Sequence, residues 1–296
     1  MLLKHILLYL TADKHASPLD IMLAYDAGIG EVIPYTDVTP DSAVKLVQEA
    51  MFARGSEGSK YTLLFLAGSD IDFVEHIAQN VRDQMFHPFS HSIIIDPKGT
   101  YTLSAAALAK VEDALRDYDT GLEGKNVVIL GSGTRAFVLA KLAASRKAKV
   151  TVTGLNEAVV KTLASRASLE SGVEVKGVRA QGSSEIMAVA KGAEVIIAAG
   201  PVGVQLLPKE SLELLSSCKV LVDLNPAPPE GIGGVSNVAN KDKVGKITVI
   251  GSVPVQDLKS VVQNKMYKRA ILAEGGGYFG YKEAYEISKS LLHIGR

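Results

Sequence analysis

Asn126-Val-Val-Ile-Leu-Gly-Ser-Gly-Thr-Arg-Ala136 decides the fold of this chain. Val127 to Leu130 form a short apolar run, the pattern of a strand buried on both faces of a parallel sheet. A glycine-rich turn follows, and then the helical pattern Phe137 to Arg146. The turn Gly131-Ser132-Gly133-Thr134-Arg135-Ala136 reads G-x-G-x-x-A between a strand and a helix, the setting in which that spacing marks a dinucleotide-binding Rossmann unit. Each position has a physical reason. Gly131 lets the chain turn sharply, Gly133 removes a β-carbon that would block a pyrophosphate, and Ala136 is small enough for close packing of helix on strand. Free amides at the helix start favour the pyrophosphate charge. The six turn residues are therefore expected to hold a nicotinamide cofactor. A Rossmann-like domain without nucleotide is the competing reading of the turn.

Outward from this turn, strands and helices alternate. Downstream strands are predicted near 149–154, 174–179, 194–199, 219–224 and 247–251. Upstream they are predicted at 5–11, 31–35, 62–67 and 92–96. Helical patterns run from Pro18 to Ala27, Pro40 to Arg54, Ile71 to Phe86 and Thr102 to Tyr118. Thr39 and Asp70 are expected N-caps, because their side-chain oxygens accept from amides of the first turn. The linker Thr120-Gly-Leu-Glu-Gly-Lys125 marks a boundary. The predicted class is α/β with two α/β domains: residues 1–120, and a Rossmann-type doubly wound parallel sheet over 121–268. The C-terminal stretch is mostly helical, broken by Glu274-Gly-Gly-Gly-Tyr278, and 269–296 is expected to pack back on the first domain.

The sequence leaves the choice between NAD and NADP open. An acidic residue after the second Rossmann strand reads the 2′-hydroxyl of NAD, whereas an arginine suits the 2′-phosphate of NADP. Here that strand ends in Leu155-Asn156-Glu157. Glu157 fits either a ribose contact or a favourable charge at the next helix start, and Asn156 fits its N-cap. Arg135 points either to a phosphate or to solvent. Two later strand ends fit the same site, since ligands lie at the carboxyl ends of such strands. Ala199-Gly200-Pro201 offers small residues there, and Asn225 opens Asn225-Pro-Ala-Pro-Pro229.

Composition removes other classes. The chain has 296 residues, 47% hydrophobic and 22% charged, with 32 basic against 32 acidic residues. A net charge of +0 gives no general attraction to nucleic acid or an anionic membrane. No run approaches the roughly 18 apolar residues of a membrane helix. The apolar start, interrupted by Lys4 and His5, reads as a first strand rather than a signal peptide, and a cytoplasmic location is expected. Cys218, the single cysteine, reads as a core-edge thiol. His87 and His91 flank Pro88-Phe89, which argues against a helical metal pair, so no metal site is expected. His15 reads as a substrate contact or a surface loop residue. No Ser-His-Asp arrangement is recognisable by spacing. Tyr278 and Tyr281 are expected to pack the C-terminal helix, with the glycine triplet as a hinge or tight turn.

Several segments together resemble the bacterial NAD(P)-dependent methylene-tetrahydromethanopterin dehydrogenases, relatives of the methylene-tetrahydrofolate dehydrogenases. They are Asp20-x4-Tyr25-Asp-Ala-Gly28, Asp37-Val-Thr-Pro-Asp41, Phe65-x-x-Gly-x-Asp70, Pro88-Phe89, Asp96-x-x-Gly99, the Gly131 turn and Asn225-Pro-Ala-Pro-Pro-Glu-Gly-Ile-Gly-Gly234. The last is the most specific. The resemblance implies a homo-oligomeric two-domain enzyme with a tetrahydromethanopterin- or tetrahydrofolate-type substrate in the cleft. A hydride would pass from its methylene group to NADP or NAD, giving the methenyl form. Such a transfer chiefly needs two carbons held at near-contact distance.

Residues near the predicted strand ends of the first domain are candidate positioners: Asp13 and Lys14, Asp20, then Asp96, Lys98, Thr100 and Thr102. Carboxylates suit the amino-pyrimidine edge of a pterin because they accept paired N–H donors. For Asp20 and Asp96, helix capping and turn formation are the competing role. Lys259, in Asp257-Leu-Lys259, matches a Leu-Lys that the family carries near the reacting carbons. It is the candidate catalytic residue, with a solvated helix lysine as the alternative. The match has departures. Gln256-Asp257 replaces a glycine pair, Ala136 replaces a glycine, and the family's arginine after the second Rossmann strand is missing at Leu155-Asn156. The loop Thr11 to His15 also differs. These leave two rivals to the dehydrogenase: a non-catalytic dinucleotide- or pterin-binding paralogue, and an enzyme for a different reduced pterin.

Overall fold

A computed structural model describes residues 3–294. The first two residues of the apolar start and the last two of the C-terminal stretch lie outside them. In chain order the elements are β1 (Ile6–Thr11), α1 (Pro18–Asp26), β2 (Glu31–Tyr35), α2 (Pro40–Ala53), α3 (Gly55–Ser59), β3 (Thr62–Ala67), α4 (Ile71–Gln84), β4 (Ser92–Ile95) and α5 (Thr100–Arg116). They continue with β5 (Asn126–Leu130), α6 (Thr134–Ser145), β6 (Lys149–Gly154), α7 (Glu157–Ser171), β7 (Val175–Arg179), α8 (Gly182–Ala190), β8 (Val195–Ala198), β9 (Val220–Asp223), β10 (Asn240–Val244), β11 (Ile247–Ile250), α9 (Ser252–Leu272), β12 (Tyr278–Phe279) and α10 (Tyr281–Leu291). The chain divides into two compact units, Met1–Thr102 with Ser260–Ile287, and Leu103–Lys259 with Ser288–Arg296. All three divisions fall inside helices, α5, α9 and α10, and the linker 120–125 lies within the second unit.

The first unit is built on a sheet of order β12-β4-β3-β1-β2, with every pair parallel. All six residues of β3 are buried, as the apolar run Thr62-Leu-Leu-Phe-Leu-Ala67 requires of a central parallel strand. β2 lies at the edge, where Pro34 can sit without breaking a ladder. The expected caps form: Thr39 accepts from Ser42 N in a capping box, and Asp70 accepts from Phe73 N. Unforeseen is β12. The glycine triplet delivers Tyr278–Phe279 alongside β4, and Ile93 N donates to Gly277 O at 2.8 Å. Tyr278 is thus a strand residue rather than helix packing, because the exposed edge of β4 offers a ladder that no local pattern announces. Tyr281, the first residue of α10, stands edge-on to Tyr101 at 5.4 Å.

The second unit carries a seven-stranded sheet of order β10-β11-β9-β8-β5-β6-β7. Six strands are parallel in the doubly wound Rossmann order, and β10 adds an antiparallel edge. β10 is invisible in the sequence because Asn-Lys-Asp-Lys-Val is polar, as suits a solvated edge. Val127 to Leu130 of β5 are buried at its centre. Ala136 is fully buried where α6 meets the sheet, as the small residue of the turn demands.

Candidate functional site

In the second unit, the turn after β5 has the geometry of a phosphate cradle. Gly131 has φ +133°, and a β-carbon on it would lie 2.8 Å from the carbonyl carbon and oxygen of Ala199. The turn therefore presses on the backbone that follows β8, and only glycine fits. Gly133 differs: a β-carbon there would meet nothing within 4 Å. As N-cap of the 12-residue α6 it provides no side-chain cap, so the first amides of the helix have no partner of that kind. Open space in front of uncapped amides is what a pyrophosphate requires, and the residues present fit a dinucleotide. Thr134 and Arg135 form the first turn of α6. The Arg135 guanidinium donates to Gly200 O at 3.4 Å, and burial lowers its pKa. It braces the loop after β8, beside Pro201.

Asn225 is committed to shape. Its Oδ1 accepts from Gly203 N at 3.1 Å and from Ala227 N at 3.3 Å, and its Nδ2 donates to Pro229 O at 2.9 Å. It ties the loop after β8 to the loop after β9. Asp223, the last residue of β9, fastens the loop that follows that strand, accepting from Asn225 N and Ile232 N, each at 2.9 Å. Burial raises its pKa against these hydrogen bonds. At the end of β6, Leu155 is 66% exposed, and Asn156 accepts from Ala158 N and Val159 N as the N-cap of α7.

In the first unit, three loops at the carboxyl ends of strands meet. Both carboxylate oxygens of Asp13, after β1, accept from Ser69, after β3: one from its amide at 3.0 Å, one from its hydroxyl at 2.9 Å. Lys98, after β4, donates to the Ser69 hydroxyl at 3.5 Å. Lys14 and His15 are exposed beside them. Sequence reasoning missed Ser69, although its place after a strand end was a usable signal.

Asp20 and Asp96 are buried. Asp20 accepts from the Tyr9 hydroxyl at 3.0 Å and from Gln263 Nε2 at 2.7 Å, and its carbonyl accepts from the Tyr267 hydroxyl at 3.1 Å. Burial and the Asp20 charge push the Tyr9 phenol well above its ordinary value. Gln263 and Tyr267 come from α9, and nothing local in the sequence links them to Asp20. Asp96 accepts from the amides of Tyr101 and Thr102 and from the Thr102 hydroxyl at 2.5 Å, which secures the start of α5.

Lys259 lies on α9 and is 3% exposed, whereas Gln256 and Asp257 on the same helix are exposed. Among the described residues, no group of three or more His, Cys, Asp or Glu is placed to hold a metal ion. Cys218 is buried and its thiol is pushed up to about 12 by desolvation. No helix of the described residues is long and apolar enough to cross a membrane.

Residues 18–98 match the family model described as methylene-tetrahydromethanopterin dehydrogenase, N-terminal. An NAD(P)-dependent methylenetetrahydromethanopterin dehydrogenase of Methylorubrum extorquens is 32% identical over 290 residues, covering 96% of this chain and 98% of that protein. The chain belongs to the methylene-tetrahydromethanopterin dehydrogenase family. The matched segment of this family member holds Asp20, Ser69, Asp96 and Lys98. The fold is wider than the family. A ligand-free 5-ketofructose reductase of Gluconobacter sp. strain CHM43 superposes with a TM-score of 0.56 at 16% identity, covering 97% of this chain and 99% of that one. A shikimate 5-dehydrogenase of Listeria monocytogenes, solved with shikimate and NAD, gives 0.56 at 10% identity, covering 90% and 92%. The methylene-tetrahydromethanopterin dehydrogenase family member thus shares its α/β architecture with proteins of little sequence likeness.

Proposed function

We propose that the chain oxidises methylene-tetrahydromethanopterin, or methylene-tetrahydrofolate, to the methenyl form with NADP or NAD, a step of one-carbon metabolism. The observation that carries this is the open cradle at Gly131 to Ala136 in a chain of this family. The nicotinamide, when bound, supplies the hydride acceptor. The protein's own work is to bind and orient.

The second unit takes the dinucleotide role: the turn residues hold the pyrophosphate, with Ala199, Gly200 and Pro201 as a close wall. The first unit takes the pterin role. The linked Asp13, Ser69 and Lys98 give it a polar edge of mixed charge, which suits the donors and acceptors of an amino-pyrimidine. Lys14 extends that edge. Asp20, Asp96 and Thr102, held by their hydrogen bonds, act as positioning residues. Lys259 is the proposed catalytic residue, holding the substrate or disfavouring misprotonation. A cytoplasmic location and a homo-oligomeric state belong to the same proposal, and fractionation and light scattering test them.

The assay mixes the protein with each reduced methylene-pterin and each dinucleotide and follows reduced nicotinamide by absorbance. Turnover with at least one pair is expected. No turnover with any pair, despite dinucleotide binding, would sink the dehydrogenase reading in favour of a non-catalytic binding protein.

A further inference from the structure

The adenosine corner of the second unit carries a charge arrangement that the second Rossmann strand does not explain. Val175, Gly177 and Arg179 alternate with Lys176 and Val178 along β7 and so share one face. That face packs on α7, since a β-carbon on Gly177 would lie 2.6 Å from the Val160 carbonyl oxygen. Arg179 stands at the carboxyl end of the same face. Parallel register pairs it with Gly154, the last residue of β6. Adjacent strands lie about 4.8 Å apart, so the arginine sits beside the β6 end, where the adenosine ribose of a Rossmann-bound dinucleotide lies.

The groups at this corner are poorly suited to a free ribose diol. Asn156 spends its side-chain oxygen on the amides of Ala158 and Val159. Glu157 is paired with Lys161 at 2.5 Å. Lys161, and more weakly Arg179, hold the Glu157 carboxyl below its usual range. Two cations, Lys161 and Arg179, therefore act on the Glu157 carboxylate. Arg179 is exposed, and no hydrogen bond from its guanidinium is found among the described residues. The phosphate turn reaches the same place: a β-carbon on Gly154 would lie 2.5 Å from Ser132 Oγ. Leu155, exposed between them in sequence, offers an apolar platform for an adenine face.

We propose that Arg179, assisted by Lys161, recognises the 2′-phosphate of NADP, so that this chain binds NADP in preference to NAD. A planar guanidinium pairs with phosphate through parallel N–H donors, and an ammonium adds charge without that geometry. The missing arginine after β6 is thereby replaced from the neighbouring strand. This inference rests on the dinucleotide reading of the second unit.

The test titrates the full-length protein with NADPH and NADH, following nicotinamide fluorescence, and uses 2′,5′-ADP and 5′-AMP as competitors. NADPH is expected to bind at least about tenfold tighter than NADH, and 2′,5′-ADP to compete better than 5′-AMP. Arg179→Ala should weaken NADPH at least about tenfold while leaving NADH within about twofold, and Arg179→Lys should recover part of the loss. Equal weakening of both dinucleotides, or a parent protein that binds NADH as tightly as NADPH, would overturn the inference and leave the dinucleotide reading intact. Binding of neither dinucleotide would overturn that reading and the inference with it.

Discussion

Gly131 and Ala199 stand backbone to backbone, so that a β-carbon on the first would lie 2.8 Å from the carbonyl of the second. No flexible side chain is present to yield, and φ of +133° is itself a region that disfavours any other residue. Gly131→Ala is expected to cost about 1–3 kcal/mol of folding stability and to weaken dinucleotide binding. Thermal denaturation measures the first, and an unchanged melting temperature would contradict the close approach.

Gly133 is predicted to behave in the opposite way. Its backbone is extended, with φ −89° and ψ −174°, and its missing β-carbon faces open space. Gly133→Val should therefore change stability by no more than about 0.5 kcal/mol. It should nevertheless abolish dinucleotide binding, because the valine fills the cradle. Binding measured by calorimetry on a variant with a normal melting curve separates the two effects; retained affinity would remove the pyrophosphate from this turn.

Asp20 and Asp13 are expected to divide stability from substrate affinity. Removing the Asp20 carboxylate takes the acceptor from the buried Tyr9 hydroxyl and one acceptor from the Gln263 amide. Asp20→Ala should cost about 1–3 kcal/mol. Asp13 is only half-buried and tethers Ser69 in a loop. Asp13→Ala should raise KM for the pterin while leaving KM for the dinucleotide and the melting temperature nearly unchanged. A pterin KM equal to that of the parent would take Asp13 out of the substrate site.

The Rossmann strands and the phosphate turn were legible because they rest on local rules: apolar runs of strand length, and glycines at a fixed spacing. The same holds for the caps at Thr39, Asp70 and Asn156, whose chemistry acts within a few residues. What escaped the sequence depends on chain segments far apart. Gln263 meets Asp20 across 243 positions, and β12 forms only because β4 leaves an edge free. Asn225 was readable as part of a strand-end motif, yet its work of tying Gly203 to Pro229 needed the two loops in space. The place of Arg179 beside Gly154 follows from strand register, which no local pattern carries.

Acid sensitivity is expected from His91. Its ring is buried, with Nδ1 3.1 Å from the Ser59 carbonyl oxygen, and burial lowers its pKa below the ordinary histidine value of 6.5. The folded chain keeps it neutral, while the unfolded chain takes up a proton below that value. The stabilisation is therefore complete above pH 6.5 and is lost as pH falls beneath it, by up to about 1.4 kcal/mol per pH unit. Denaturant melts of the parent and of His91→Asn between pH 5 and 7.5 should show a shallower pH dependence in the variant. Parallel curves would assign the acid sensitivity elsewhere.

The central claim is that a hydride leaves the pterin's methylene carbon for the dinucleotide. Methylene-tetrahydromethanopterin carrying two deuteriums on that carbon, mixed with the protein and NADP or NAD, tests it in a single turnover. Mass spectrometry of the reduced dinucleotide is predicted to show one deuterium on the nicotinamide ring. Reduced dinucleotide without deuterium, or no reduction with either dinucleotide bound, would contradict it.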